Sequence, residues 1–97
     1  MSTEYIAQLF FGTEASDLDD PEAFAVQHGL EIIQIGSAWT GDYQTFIAVS
    51  DPISSEGYGA ASIEIPSYDE DQISAWQAIA EQAGLEPFKW QLGIDVV

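Results

Sequence analysis

The residues best able to do chemistry in this sequence are carboxylates, and they concentrate in two short segments. The first segment consists of Glu14, Asp17, Asp19, Asp20 and Glu22, and the second consists of Asp69, Glu70 and Asp71. Carboxylates can bind hard cations, work as an acid–base pair in glycoside hydrolysis, or form ion pairs with the Lys and Arg of a partner. The spacing of the residues decides which of these is favoured.

Neither acidic segment has the spacing of a dedicated metal site. The stretch from Asp17 to Glu22 lacks the Gly at loop position six and the Glu at position twelve of an EF-hand. The run from Asp69 to Asp71 is a plain acidic sequence. We therefore expect no metal and no cofactor.

The sequence offers no recognisable catalytic constellation either. His28 is the only histidine, there is no Cys, and no Ser stands in a G-x-S-x-G context. Seventeen acids guarantee that some carboxylates come close together by chance, so such a pair carries little weight. At its predicted place in a helix C-terminus, His28 complements the helix dipole. We expect a protein that is not an enzyme.

The charge balance is the unusual property of the chain. Seventeen Asp and Glu face Lys89 alone, with no Arg, for a formal charge of −16. Charged residues make up 19% of the chain, below the usual share of about 25%, so bases have been lost more than acids gained. Such a surface repels nucleic acid and anionic lipid. The expected partner is instead a basic protein surface.

The most abundant basic protein surfaces in a cell are nucleic-acid-binding sites. Duplex DNA carries one charge per about 1.7 Å of axis, so sixteen charges match roughly eight base pairs. In size and charge the chain resembles phage-encoded DNA-mimic inhibitors, including anti-CRISPR and anti-restriction proteins, and acidic nuclease immunity proteins. The resemblance implies an inhibitor of a defence or nuclease complex that acts in the bacterial host cytoplasm.

The expected partner-binding residues are acids with two aromatic anchors. They are Glu14, Asp17, Asp19, Asp20, Asp69, Glu70, Asp71, Trp39 and Tyr58. Trp39 and Tyr58 lie in predicted loops, and interface hot spots favour Trp and Tyr.

Two other classes of function stay open. One is a housekeeping domain adapted to high salt, since acidic surfaces are a halophile adaptation. The other is a small-molecule enzyme or ligand-binding domain. A domain adapted to high salt would unfold in low salt, whereas an inhibitor of a nucleic-acid-binding protein would stay folded.

These residues have to be positioned by one domain of 97 residues. The chain has no membrane-spanning run and no basic leader, so a cytoplasmic protein is expected. Apolar patterning predicts strands at 4–11, 31–37, 43–50, 61–65 and 88–96, the last with one buried face from Phe88 to Val96. The segment 12–19 is predicted to be a connector and 51–59 an exposed loop.

Two helices are predicted between these strands. The first begins after the cap Asp20 and ends at Gly29, and the second begins after a capping box of Ser67 with Glu70 and ends at Gly84. The element order indicates an α+β fold, a ferredoxin-like split β-α-β sandwich with an antiparallel sheet of four or five strands and two helices on one face. Both helices should begin at the same end of this sheet, where the acidic segments could merge into one acidic face.

Overall fold

The residues that the structure describes form five strands and two helices. The computed structural model describes residues 5–37, 39–56 and 64–96. Its elements are β1 (Tyr5–Glu14), α1 (Pro21–His28), β2 (Glu31–Gly36), β3 (Tyr43–Ala48), β4 (Ile53–Glu56), α2 (Glu70–Gln82) and β5 (Lys89–Val96). The protein is thus a small α+β domain with an open antiparallel sheet. Neither of these helices is long and apolar enough to cross a membrane.

The central strand of the sheet is β1. One edge of β1 pairs with β5 from Tyr5 to Gly12. The other edge pairs with β4 over residues 6–9 and with β3 over residues 12–14, and β3 in turn pairs with β2. Because β3 and β4 follow one another along the same edge of β1, they act as a single antiparallel strand interrupted at residues 49–52.

The β2–β3 hairpin folds over one face of the β1–β5 pair. Its tip forms a bridge between Ser37 and Val96, and the Gly36 N–H donates to the Asp95 carboxylate at 2.8 Å. Under the hairpin lies a buried cluster of Phe10, Ile33, Ile35, Phe46 and Ala48. Gly93 allows this approach, since a Cβ there would lie within 2.9 Å of the Ile35 side chain.

Both helices contribute to a second buried cluster. Its members are Phe11, Ala15, Ala25, Leu30, Ile47, Ala80 and Phe88. Phe10 and Phe11 are neighbours in β1 and belong to different clusters, as expected for a strand whose successive side chains point to opposite faces. The sheet is therefore covered on one face by its own hairpin and on the other by the helices.

The helix ends follow local chemistry. Asp20 caps α1 by accepting from the Ala23 N–H at 3.1 Å, and Gly29 ends α1 in the left-handed conformation, as predicted. The predicted cap of α2 is wrong, because the capping box is formed by Asp69 with Gln72 and not by Ser67 with Glu70. Asp69 is therefore the N-cap of α2 and not a residue of its first turn.

Three predicted strand boundaries also differ from the structure. β1 continues through the predicted connector to Glu14, because residues 12–14 pair with β3. Residues 53–56 of the predicted loop form β4, because β1 offers them a free edge. Of the strand predicted at 61–65, residues 61–63 lie outside the described residues, and Ile65 is exposed and not in a strand.

Candidate protein-binding surface

The first acidic segment forms a corner between β1 and α1. Glu14 is the last residue of β1, Asp17 and Asp19 occupy the turn that follows, and Asp20 caps α1. All four side chains are exposed. We call these four residues the acidic corner. They present four carboxylates within seven residues to the solvent.

Backbone contacts hold the acidic corner in place. Ala15 is fully buried, and its N–H donates to the Thr45 carbonyl at 2.8 Å. The Ser16 hydroxyl donates to the Glu14 carboxylate at 2.8 Å and accepts from the Thr45 N–H at 3.1 Å. The turn is thereby tied to β3, so the carboxylates are carried on a fixed part of the sheet.

The connection between α2 and β5 reaches the same corner. The buried Thr13 hydroxyl donates to the Glu86 carbonyl at 2.8 Å, and the Glu86 side chain is exposed. Sequence reasoning did not select Glu86, because the contact joins residues 73 positions apart and leaves no local pattern. Glu86 adds a further carboxylate beside the acidic corner.

The second acidic segment lies at the start of α2, and we call Asp69, Glu70 and Asp71 the α2 acidic end. All three side chains are exposed. The expectation that both helices begin at the same end of the sheet is wrong. α2 ends near the acidic corner, as the Thr13–Glu86 bond shows, while α1 begins there. Thirteen residues of helix place the α2 acidic end about 20 Å from the C-terminus of α2.

Of the two predicted aromatic anchors, Trp39 lies among the described residues and Tyr58 does not. Trp39 lies in the β2–β3 turn and is 57% exposed, with its N–H donating to the Ser37 hydroxyl at 3.2 Å. Its neighbour Tyr43, at the start of β3, is 50% exposed. The Tyr58 prediction lies outside the described residues. Trp39 is therefore accessible to a partner, at a turn fixed by the Gly41 N–H, which donates to the Ser37 carbonyl.

A cleft of about 300 Å³ is lined by residues of the hairpin, β1 and β5. Phe10 and Phe46 line it together with Glu14, Glu86 and Lys89. The two carboxylates and the ammonium could hold a small polar molecule by hydrogen bonds.

Among the residues that the structure describes, no group of three or more His, Asp or Glu side chains is arranged to hold a metal ion. The ring of His28 packs on Phe24 with centroids 4.6 Å apart, at the C-terminus of α1. The place of His28 is thus that of a helix-terminal residue, as the sequence indicates.

The predicted buried face of β5 is wrong. Phe88, just before the strand, is 3% exposed, but Trp90, Leu92 and Ile94 are 38%, 70% and 50% exposed. The residues that alternate with them, Gln91, Gly93 and Asp95, are half-buried on the hairpin side. Apolar and polar residues do alternate along β5, but the polar residues face the hairpin. They do so because Gly93 and Asp95 make the contacts with the hairpin.

Comparisons with known proteins give no relative from which a role for these surfaces could be inferred. No protein-family model matches the chain, and comparisons with curated proteins and with solved structures find no significant similarity.

Proposed function

We propose that this protein is a non-enzymatic inhibitor that occupies the nucleic-acid-binding site of a basic protein. Its carboxylates take the place of phosphates on the partner's Lys and Arg. The observation that supports this proposal most directly is the charge balance. The chain has seventeen Asp and Glu and a single Lys, and it forms an ordinary α+β domain. Complementary fields steer association and suppress wrong partners.

The placement of the acids supports this proposal. The acidic corner and the α2 acidic end are both exposed, and they are separate patches on one folded domain. Phosphates along a duplex are likewise spread over a length, so two patches can meet cations at two places along a nucleic-acid channel. Asp20 and Asp69 also cap helices, which fixes their neighbours relative to the backbone.

We infer that the fold is a bent form of the ferredoxin-like split β-α-β sandwich. The strand order β2-β3-β1 with β5 on the far edge of β1, all antiparallel, is the order that such a sandwich requires. The contact of the β2–β3 hairpin tip with β5 and the short strand β4 are departures from that plan. A fold of this kind hosts many unrelated functions, so the functional proposal depends on the surface alone.

The class of partner follows from the same chemistry. A restriction enzyme, a CRISPR effector or a secreted nuclease each presents a channel lined by Lys and Arg to bind phosphates. An inhibitor of the first two would be phage-encoded and would act in the bacterial host cytoplasm, and an inhibitor of the third would be an immunity protein. Direct binding of nucleic acid or of anionic membranes is opposed by the charge.

The proposal is tested by affinity capture of the partner followed by matched charge variants. The test variant carries Glu14→Gln, Asp17→Asn and Asp19→Asn, and the control carries Glu31→Gln, Asp51→Asn and Glu64→Gln. Each removes three charges from exposed positions. We expect the test variant to associate with the partner more slowly and with a weaker salt dependence than the control.

Equal losses in the two variants would mean that net charge, not the acidic corner, governs binding. Unchanged association in both would contradict electrostatic recognition. Asp20 and Asp69 are left intact in these variants because their loss would also weaken a helix.

A further inference from the structure

The exposed side of β5 continues onto β1 as one apolar face. Tyr5 pairs with Val96 and Ala7 with Ile94, so the outward side chains of both strands stand side by side. Tyr5 is 61% exposed, alongside the exposed Leu92 and Ile94. We call Tyr5, Trp90, Leu92 and Ile94 the apolar face.

The position of α2 explains why this face is uncovered. Trp76 of α2 packs on Phe11, and Tyr68, just before the helix, packs on Phe11 and stacks on Trp90 with centroids 6.2 Å apart. Exposure then rises along β5, from Phe88 to Trp90 to Leu92. The helix therefore covers the beginning of β5 and leaves its second half open.

Packing within the domain does not require apolar residues at positions 92 and 94. The inward contacts of this part of β5 come from Gly93, which meets Ile35, and from Asp95, which binds Gly36 and Gln8. The outward positions could hold Thr, which has a similar strand propensity. Neighbouring exposed apolar side chains of this size mark interaction surfaces in soluble proteins.

The charge of the chain indicates which kind of partner binds the apolar face. The α2 acidic end follows Tyr68 directly, so carboxylates border the face where Tyr68 stacks on Trp90. Interfaces combine an apolar centre with a polar rim. A second copy of this chain would itself carry a formal charge of −16, so electrostatic repulsion opposes its approach to the face. A partner with apolar side chains flanked by Lys and Arg instead matches both the face and its border.

We propose that the apolar face is the centre of the contact with the basic partner, and that the α2 acidic end is its rim. This inference rests on the proposed function. It adds that binding buries apolar side chains as well as pairing opposite charges. Leu92 and Ile94 supply most of the slow dissociation, whereas the acids supply the fast, salt-dependent association.

Two synthetic peptides of equal length and charge test the proposal without knowledge of the partner. One is an amphipathic peptide of Lys and Leu, and the other replaces each Leu with Ser. Calorimetry should show that the Lys–Leu peptide binds about tenfold more tightly than the Lys–Ser peptide. This difference in affinity should disappear in the double variant Leu92→Thr/Ile94→Thr. The control Val26→Thr, on an exposed residue of α1, should keep the difference.

Chemical-shift mapping on the unaltered chain gives a second readout that does not depend on a variant. The Lys–Leu peptide should shift the amide signals of Tyr5, Leu92 and Ile94 most. Equal binding of both peptides, or shifts centred elsewhere, would overturn the inference and leave the charge proposal standing. If neither peptide binds, the proposed function fails as well. Concentration-dependent sedimentation abolished by Leu92→Thr/Ile94→Thr would assign the face to a second copy and overturn the proposal.

Discussion

At the scale of single residues, Asp95 differs from the acids of the acidic corner and of the α2 acidic end because its carboxylate joins strands that are distant in sequence. It accepts from the Gly36 N–H at 2.8 Å and from the Gln8 side-chain amide, so it joins β5 to the tip of the hairpin and to β1. Its side chain is half-buried on the hairpin side of the sheet. Asp95 therefore contributes to the stability of the fold as well as to its charge.

We expect Asp95→Ala to lower the free energy of unfolding by about 1–3 kcal/mol, since hydrogen bonds to a charged group are lost and the Gln8 amide is left without this partner. The control Asp51→Ala removes an exposed carboxylate and should stay within about 0.5 kcal/mol of the unaltered protein. Urea denaturation at fixed salt measures both. Equal effects of the two substitutions would show that the Asp95 contacts do not stabilise the fold.

At the scale of elements, the helix caps give a direct test of the boundaries of α1 and α2. Asp20→Ala and Asp69→Ala should each cost about 0.5–2 kcal/mol, because each removes the acceptor for a backbone N–H in the first turn. Ser67→Ala, two residues before the cap of α2, is the matched control and should be close to neutral. A larger loss for Ser67→Ala than for Asp69→Ala would restore the capping box that the sequence predicts.

The fold of the hairpin over β5 predicts a coupling between Gly93 and Ile35. Gly93→Ala places a methyl group within 2.9 Å of the Ile35 side chain and should destabilise the protein. Ile35→Ala removes that neighbour and leaves a cavity. The double variant should therefore be more stable than the sum of the single effects by about 0.5–3 kcal/mol, measured by denaturation. Additive effects would mean that the hairpin does not lie on β5.

Local chemistry made α1, β2, β3 and the end of α2 predictable from the sequence. Asp20 with Pro21 and Gly29 marks a helix by capping alone, and β-branched residues mark β2. Contacts between distant residues decided the rest. β4 forms because β1 offers an edge, and β5 turns its apolar residues outward because Gly93 and Asp95 meet the hairpin. No local pattern reveals these contacts.

The same distinction holds for the candidate site. The acids of the corner and of the α2 acidic end could be selected from composition and spacing, and the structure places them on the surface. Their separation could not be foreseen, since it follows from the direction of α2 relative to β1. The apolar face was hidden for a similar reason, because Leu92 and Ile94 have the alternation of a buried strand.

At the scale of the whole molecule, the net charge of −16 acts against folding through self-repulsion. Added salt shortens the screening length, which is about 8 Å at physiological ionic strength, so the melting temperature should rise with NaCl. The protein should nevertheless remain folded in low salt, because its two buried clusters do not depend on ions. Circular dichroism at several NaCl concentrations checks this, and unfolding in low salt would favour the salt-adapted housekeeping domain.

The central claim is that this protein and nucleic acid compete for one site on a basic partner. The most direct measurement titrates the protein into the captured partner bound to labelled nucleic acid at fixed salt, with Leu92→Thr/Ile94→Thr titrated in parallel. We predict full displacement of the label, with a midpoint that rises in proportion to the nucleic-acid concentration, and weaker displacement by the variant. If the partner instead holds both ligands at once with unchanged affinities, charge mimicry is contradicted.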